Sequence, residues 1–221
     1  IDARLWQSFA SVRYLLARQL DLVIYDQHPP PNWPPEAAAQ LVVWPYEDFS
    51  PSLAAVPAGV MLTRYEGAAY REDRQPPEQA YPLYTRFELE PAPTGLALAQ
   101  SENGVELLAA SYAVQGDRLL VRLVVRVNEP QANDWHIFIH ALAAAGSPLA
   151  QADGPPLAGD WQFTRWQPGQ VGAHVVELYL SSTPAEITVL AGFFDPNTGE
   201  RLALTLPLGL VTDTWSLTRA P

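Results

Sequence analysis

The stretch that decides the fold is DWHIFIHALAAAGSPLAQADGPPLAGDWQFTRWQPG, residues 134–169. It opens with residues 135–142, where aromatic and β-branched side chains are dense enough to predict a strand. The small residues 143–148 predict a chain reversal, after which residues 149–152 return as a short segment. Gly154-Pro155-Pro156 predicts a corner. A third strand is expected at residues 161–166. The stretch therefore predicts a hairpin and a corner inside an all-β domain.

Further strand patterns follow one another at short intervals. Turn residues separate them and no helical pattern intervenes after residue 82, which is typical of a sandwich of two sheets. We therefore predict a mainly β fold, an antiparallel β-sandwich of jelly-roll or immunoglobulin-like type. Its strands are predicted at residues 83–89, 95–100, 105–114, 118–128, 135–142, 171–180, 187–194, 202–206 and 210–217.

The alternation of side chains within one strand predicts how it is buried. In residues 118–128, Arg122 and Arg126 share one side, and an apolar set shares the other: Leu119, Val121, Leu123, Val125 and Val127. This strand should have one face in the core and one in solvent. Residues 115–117 and 195–200 carry glycine where a hairpin turn needs a positive φ.

The first part of the chain has a different pattern. We predict residues 1–82 to be a small α/β segment packed on the sandwich, and residues 83–221 to be the sandwich domain. Residues 2–20 read as an amphipathic helix with an apolar stripe at Leu5, Phe9, Val12, Leu16 and Leu20. Short strands are expected at residues 22–25, 41–44 and 60–64. The stripe should pack against the first two of them.

The polar, proline-bearing residues 66–82 are the best candidate boundary between the two parts. They lack the long Gly/Ser run of a free linker. One helix and three short strands also offer too little apolar surface to fold alone. We therefore expect the two parts to share a core.

Composition narrows the classes of partner. The net charge is −11, with 13 basic residues that are all arginine, and there is no cysteine. Nucleic acid and anionic lipid are poor candidates, because both are bound through clusters of basic residues. Disulfides and cysteine nucleophiles are excluded. No apolar run approaches the roughly 20 residues that span a bilayer. Because the chain begins at Ile1, we expect a piece of a longer protein.

Short motifs within residues 104–206 resemble those of a known domain. They are Gly116-Asp117, Ile137-Phe138-Ile139-His140 followed by Gly146, Leu149-Ala150-Gln151 with Asp153-Gly154-Pro155-Pro156, Arg165-Trp166-Gln167-Pro168-Gly169-Gln170, Gly192-Phe193-Phe194-Asp195-Pro196, and Thr198-Gly199-Glu200-Arg201-Leu202. Together they are similar to the C-terminal domain of bacterial multi-spanning membrane glycosyltransferases of the dolichyl-phosphate-mannose mannosyltransferase type. The resemblance implies a β-sandwich outside the cytoplasmic membrane. It also implies that this piece lacks the catalytic carboxylates, which in such transferases lie on loops between membrane helices.

Three histidines raise the question of a metal site. His136 and His140 share one face of a predicted strand, and His174 lies on another strand. Three histidines can hold zinc. However, alternate strand residues are about 6.5 Å apart, which places His136 and His140 about 13 Å from each other. That is too far for one ion without a bulge, so we expect histidines at the edge of a core, with no metal and no cofactor.

Carboxylates offer two further candidates. Asp21, Asp26, Glu47 and Asp48 flank the short strands of the first part, and a pair of them could cleave a glycosidic bond. Asp26 ends a strand, but aspartates at such positions are also common turn formers. Residues 195–200 could bind calcium. A tight hairpin turn explains the same residues.

Tryptophan is frequent for a chain of this length. Trp135, Trp161 and Trp166 belong to the central stretch, and Trp33 and Trp44 to the first part. Exposed rings could stack on sugars, whereas buried rings fill a core. The candidate ligand-binding residues are Trp135, His136, His140, Trp161 and Trp166.

These observations lead to three hypotheses. The first is a non-catalytic extracytoplasmic accessory domain, belonging to a membrane glycosyltransferase, that packs on its parent or contacts glycan. The second is a secreted hydrolase using Asp26 and another carboxylate. The third is an adhesion or scaffold module. Paired carboxylates less than about 10 Å apart would favour the hydrolase. A shallow aromatic surface would favour glycan binding, and neither feature would favour the scaffold.

Overall fold

Two β-sheets form the body of the protein. The structure, a computed structural model, describes residues 1, 3–8, 24, 39–46, 48–70, 81–182 and 186–219. Its elements, in chain order, are α1 (Ala3–Ser8), β1 (Ala39–Val43), α2 (Ser50–Ala54), β2 (Val60–Glu66), β3 (Ala69–Tyr70), β4 (Tyr81–Pro82), β5 (Thr85–Pro91), β6 (Ala99–Gln100), β7 (Val105–Gln115), β8 (Arg118–Val127), β9 (His136–Ala143), β10 (Pro148–Gly154), two 3-10 helices (Pro156–Gly159 and Phe163–Arg165), β11 (Gln170–Tyr179), β12 (Ile187–Phe194), β13 (Leu204–Thr205), β14 (Val211–Thr212), β15 (Trp215–Ser216) and β16 (Thr218–Arg219).

The sheets differ in size and in strand direction. Within the described residues, the large sheet has ten strands in the order β1-β5-β2-β11-β8-β7-β6-β13-β14, with β16 paired to β7. The small sheet has four, in the order β10-β9-β12-β15, and β3 pairs with β4 on its own. The small sheet is antiparallel. The large sheet is mixed, because β2 runs parallel to β11 and β16 runs parallel to β7. The prediction of a mainly β sandwich is confirmed.

The sandwich closes because each sheet turns one apolar face inward. The alternation predicted for residues 118–128 is confirmed: its five apolar side chains are at most 1% exposed. They join one continuous core with the inner face of the small sheet, which supplies Ile137, Ile139, Val189, Ala191 and Phe193. Burying this apolar area is the main force that holds the two sheets together.

The outer side of the large sheet carries a second, smaller apolar cluster. Met61, Val124, Val171 and Ala173 are its buried members, at 1–3% exposure. Val124 lies on β8, on the side where the sequence predicts solvent. It is buried because β11 and β2 bring apolar side chains beside it in the register Ala173↔Val124 and Val171↔Met61.

The first part of the chain contributes strands to the large sheet. Strands β1 and β2 confirm the predictions for residues 41–44 and 60–64, and both pair with β5. They do not form a layer of their own, since their side chains enter the same core as the rest. In α1, Leu5 is 1% exposed, as expected for the stripe. Phe9, Val12, Leu16 and Leu20, and all of the strand predicted at 22–25 except Ile24, lie outside the described residues.

Four predicted strands differ from the structure, and one of them, at residues 202–206, contributes only the two-residue strand β13. Residues 161–166 form no strand but a compact loop with a 3-10 turn, because Trp161, Phe163 and Trp166 all point into the core and cannot alternate. Residues 95–100 contribute only β6, since Gly95 has a φ of 136° and Leu96 is exposed. Residues 210–217 are split into β14 and β15 by a turn at 213–214. The hairpins predicted at residues 115–117 and within residues 135–152 are confirmed, and at residues 195–200 the chain reverses into an isolated bridge between Phe194 and Arg201.

Among the residues that the structure describes, no helix is long and apolar enough to cross a membrane.

Candidate functional site: the outer face of the small sheet

The two candidate histidines project from the outer face of the small sheet. On β9 the side chains of Ile137 and Ile139 face the core, so His136, Phe138 and His140 face outward. Both histidines are partly exposed, whereas Phe138 is 3% exposed. The alternation that made this strand recognisable in the sequence therefore also sets out a row of histidine, phenylalanine and histidine on one surface.

The register of neighbouring strands completes this surface. β12 places Phe194 beside His136 and Gly192 beside Phe138, and β10 places Asp153 on the other side of Phe138. The His136 and Phe194 rings meet edge to face, with centroids 5.6 Å apart. A Cβ on Gly192 would lie 2.5 Å from Cζ of Phe138, so only glycine there leaves room for the Phe138 ring to lie on the sheet.

An arginine covers the central ring. The guanidinium carbon of Arg201 lies 4.6 Å from the centroid of Phe138, a cation–π contact. A bridge between Phe194 and Arg201 sets its position, and its Nη1 lies 3.5 Å from Oδ2 of Asp213. The Thr214 hydroxyl donates to Asp213 and, together with Arg201, holds the pKa of that carboxyl below its usual range. We call His136, His140, Asp153 and Arg201, with Phe138 and Phe194 beneath them, the polar face.

The polar face offers both kinds of hydrogen-bonding group. His140 Nε2 lies 3.7 Å from Asp153 Oδ1. The two side chains form an ion pair at this distance when the histidine is protonated. The side chains of His140, Asp153 and Arg201 are 33%, 41% and 45% exposed, so each can still bind a ligand from solvent. These planar donors and acceptors, beside the half-buried Phe194 ring, suit a polar ligand that carries many hydroxyl groups.

The third histidine lies elsewhere. His174 is on β11 and shares its core-facing side with Leu178, and it is only 9% exposed. Burial lowers the pKa of His174 to about 4, so it is neutral at pH 7. No three histidine, aspartate or glutamate side chains within the described part of the chain stand close enough together to hold a metal ion.

The three candidate tryptophans of the central stretch are core residues. Trp135, Trp161 and Trp166 are 8%, 1% and 3% exposed, so none presents a ring face to a ligand. This corrects their assignment as ligand-binding residues. Trp166 Nε1 donates to the Trp161 carbonyl over 2.9 Å, and its ring lies against Gly172, where a Cβ would be 2.4 Å away. These rings instead belong to the core that the two sheets share.

The candidate carboxylates are only partly described. Asp21, Asp26 and Glu47 lie outside the described residues. Asp48 is exposed and accepts hydrogen bonds from the hydroxyl and the backbone N–H of Ser50, which lower the pKa of its carboxyl. Asp195 Oδ1 accepts from the N–H of Asn197 over 2.8 Å, which is the turn geometry that explains residues 195–200 without calcium.

A second aromatic surface lies in the first part of the chain. Tyr46 and Tyr81 are 53% and 41% exposed, with ring centroids 6.1 Å apart. Trp44 packs on Tyr46 at 6.0 Å. The Tyr46 hydroxyl donates to the Pro82 carbonyl over 2.8 Å, and burial of that hydroxyl raises the pKa of Tyr46. The sequence singles out Trp44 only as one of several tryptophans, and the two tyrosines are 35 positions apart with no sequence pattern that joins them.

Comparisons with known proteins do not assign the site. No protein-family model matches the chain, and no curated protein matches it. Among solved structures, the chain is similar to "endonuclease/exonuclease/phosphatase from Beutenbergia cavernae DSM 12333", with 16% identity and a TM-score of 0.27. The match covers 72% of this chain and 35% of that one. A likeness of this size carries no argument about function.

Proposed function

We propose that this chain is a non-catalytic, extracytoplasmic accessory domain of a membrane glycosyltransferase, and that it contacts glycan through the polar face. The observation that carries the proposal is the arrangement of His136, His140, Asp153 and Arg201 over Phe138 and Phe194 on an open sheet surface. Sugars present hydroxyl groups and apolar C–H faces together. The planar hydrogen-bonding groups complement the hydroxyl groups, and the half-buried Phe194 ring complements the C–H faces, whereas Phe138 lies beneath Arg201 at 3% exposure and supports the arginine.

The assignment to a glycosyltransferase rests on the resemblance of residues 104–206. Several of its motifs contribute to the polar face: Ile137-Phe138-Ile139-His140, the motif around Asp153, Gly192-Phe193-Phe194-Asp195-Pro196, and the motif that ends in Arg201-Leu202. The parental sequence upstream of Ile1 tests this part. Several membrane spans there would support it, and a secretion signal followed directly by Ile1 would contradict it.

Glycan contact is tested by titrating the isotope-labelled chain with soluble neutral and acidic oligosaccharides and following amide shifts by NMR. We expect shifts confined to β9, β10 and β12, and their loss in Arg201→Ala. Arg118→Ala is the matched control. Arg118 also stacks on an aromatic ring, Tyr179, at 5.5 Å, and also pairs with a carboxylate, Glu177, at 3.1 Å, but it lies on the large sheet.

The outcomes separate the three hypotheses. Shifts lost in Arg201→Ala and kept in Arg118→Ala support glycan contact at the polar face. Shifts centred on Tyr46 and Tyr81 would move glycan contact to the second aromatic surface and contradict the polar face. Release of reducing sugar during the titration would favour the hydrolase. Absence of any shift with all oligosaccharides would contradict glycan contact and leave the adhesion or scaffold module.

A further inference from the structure

Four apolar side chains project from one corner of the large sheet. Leu96 and Leu208 are 91% and 98% exposed, and Leu210 and Val211 are 64% and 62% exposed. We call these four residues the apolar tip. Exposure above nine-tenths means that a side chain stands clear of its own domain. An exposed apolar group of this kind is a common mark of an interaction site.

Two loops bring the tip together. β13 pairs with β6 antiparallel at Thr205 and Gln100. The segment that follows β13 and the segment that precedes β6 therefore lie at the same end of this strand pair. Leu208 lies three residues after Thr205, and Leu96 lies four before Gln100. Leu210 and Val211 follow on the returning strand.

Two backbone hydrogen bonds close the hairpin. The N–H of Leu206 donates to the Leu210 carbonyl, and the N–H of Gly209 donates to the Leu206 carbonyl, each over 2.8 Å. Pro207 has no N–H to satisfy. Gly209 takes a φ of 79°, which closes the turn without strain. These bonds lower the cost of bringing the turn into contact with an apolar medium, which penalises unpaired backbone groups.

The loops of the apolar tip carry no charged residue, and most of the charged residues that flank them are acidic. Residues 91–101 and 202–212 contain no aspartate, glutamate, arginine or lysine. Glu90, Glu102 and Asp213 flank these loops, with Arg201 as the neighbouring cation. An anionic surface would be repelled by these flanks, whereas an uncharged one would not.

We propose that the apolar tip inserts into the surface of a zwitterionic lipid bilayer. Four aliphatic side chains are far too few for a stable interface with another folded protein, which buries about 1,200 to 2,000 Å². They do carry about as many carbons as one myristoyl chain. Such a chain binds a bilayer reversibly, with a constant of about 10⁴ M⁻¹. Lipid is therefore the occupant that the size, shape and charge of the tip fit.

The absence of cysteine permits a direct test. Leu208→Cys carries a nitrobenzoxadiazole dye, and vesicles of phosphatidylcholine are added. We expect a blue shift and a rise in emission. Asn197→Cys is the control. Asn197 is also exposed in a turn, but this turn precedes β13, whereas the apolar tip follows β13. A spectrum that does not change at position 208, or that changes equally at position 197, overturns the proposal.

Vesicle flotation of unlabelled protein gives the second test. Wild type should bind phosphatidylcholine vesicles, and Leu208→Ser with Leu210→Ser should bind at least about tenfold more weakly. Leu120→Ser is the control, since Leu120 is a 42% exposed leucine on β8 and should bind as wild type. Adding phosphatidylglycerol should weaken binding, and salt should restore it. Binding that requires phosphatidylglycerol would overturn the proposal, as would a dimer that the double variant abolishes.

Discussion

At the scale of single residues, the sandwich buries a histidine, a group that titrates. His174 lies on the core side of β11, opposite Leu123 of β8, and burial disfavours its charged form. An unfolded histidine has a pKa near 6.5, against about 4 for His174 in the fold. Between these two values the unfolded chain binds more protons than the folded one. Stability should therefore fall as the pH falls through this window.

We expect the free energy of unfolding attributable to His174 to drop by about 2 kcal/mol between pH 7.5 and pH 5. Urea unfolding at both values checks this. In His174→Leu the drop should be smaller by that amount. Leu41→Ala is the control, because Leu41 is a 1% exposed core residue on β1, which β5 and β2 separate from β11, so the variant weakens the core at both pH values while keeping the wild-type drop. An equal drop in His174→Leu and wild type would contradict the prediction.

At the scale of elements, the packing of strand β12 against its neighbours depends on a glycine. β12 can lie against β9 and β15 only because Gly192 has none. A Cβ there would meet Phe138 Cζ at 2.5 Å and the Asp213 carbonyl oxygen at 2.6 Å. The ring could move, but the carbonyl belongs to the turn before β15 and cannot move without disturbing that strand. The polar face is therefore built around this glycine.

Gly192→Ala should lower the free energy of unfolding by about 1 to 3 kcal/mol, through overpacking at Phe138 and Asp213. The control is Gly154→Ala on β10. That position has no neighbour within 4 Å of an added Cβ and no positive φ, so we expect little change or a slight gain in stability. Chemical denaturation of both variants gives the measurement. Equal stability of the two would show that the face tolerates a side chain at position 192.

At the scale of the whole molecule, one buried side chain joins the first part of the chain to the sandwich. Gln170, 2% exposed at the start of β11, donates through Nε2 to the carbonyls of Leu53 (3.0 Å) and Val56 (3.1 Å). Its Oε1 accepts from the N–H of Gln167 over 2.8 Å. Leu53 and Val56 also belong to the common core.

Gln170→Leu leaves these buried carbonyls without that donor, and should cost about 3 kcal/mol or more. Gln100→Leu, at an exposed position on β6, should change stability little. The expectation that both parts share a core can also be tested by limited proteolysis. Cleavage near Arg71 or Arg74 should leave the two pieces associated on a sizing column, and two independently folded pieces would contradict it.

The sequence by itself determined the sandwich and most of its strands. Alternation in residues 118–128 specifies which face is buried, because side chains on a strand point to opposite sides whatever the partner is. Glycines at Gly116 and Gly199, with φ of 65° and 73°, mark hairpins that local geometry alone requires. It also placed His136 and His140 on one surface, because they are four residues apart on a single strand.

Tertiary structure alone decided the rest. The parallel pairing of β2 with β11 joins residues more than 100 positions apart, and no local pattern carries that information. Whether Trp161 is a ligand platform or a core residue depends on what covers it, and in the fold it is buried in the core that both sheets share. Arg201 reaches Phe138 because an isolated bridge at Phe194 returns the chain there. Residue type sets what a side chain can do, whereas register and long-range packing set which side chains meet.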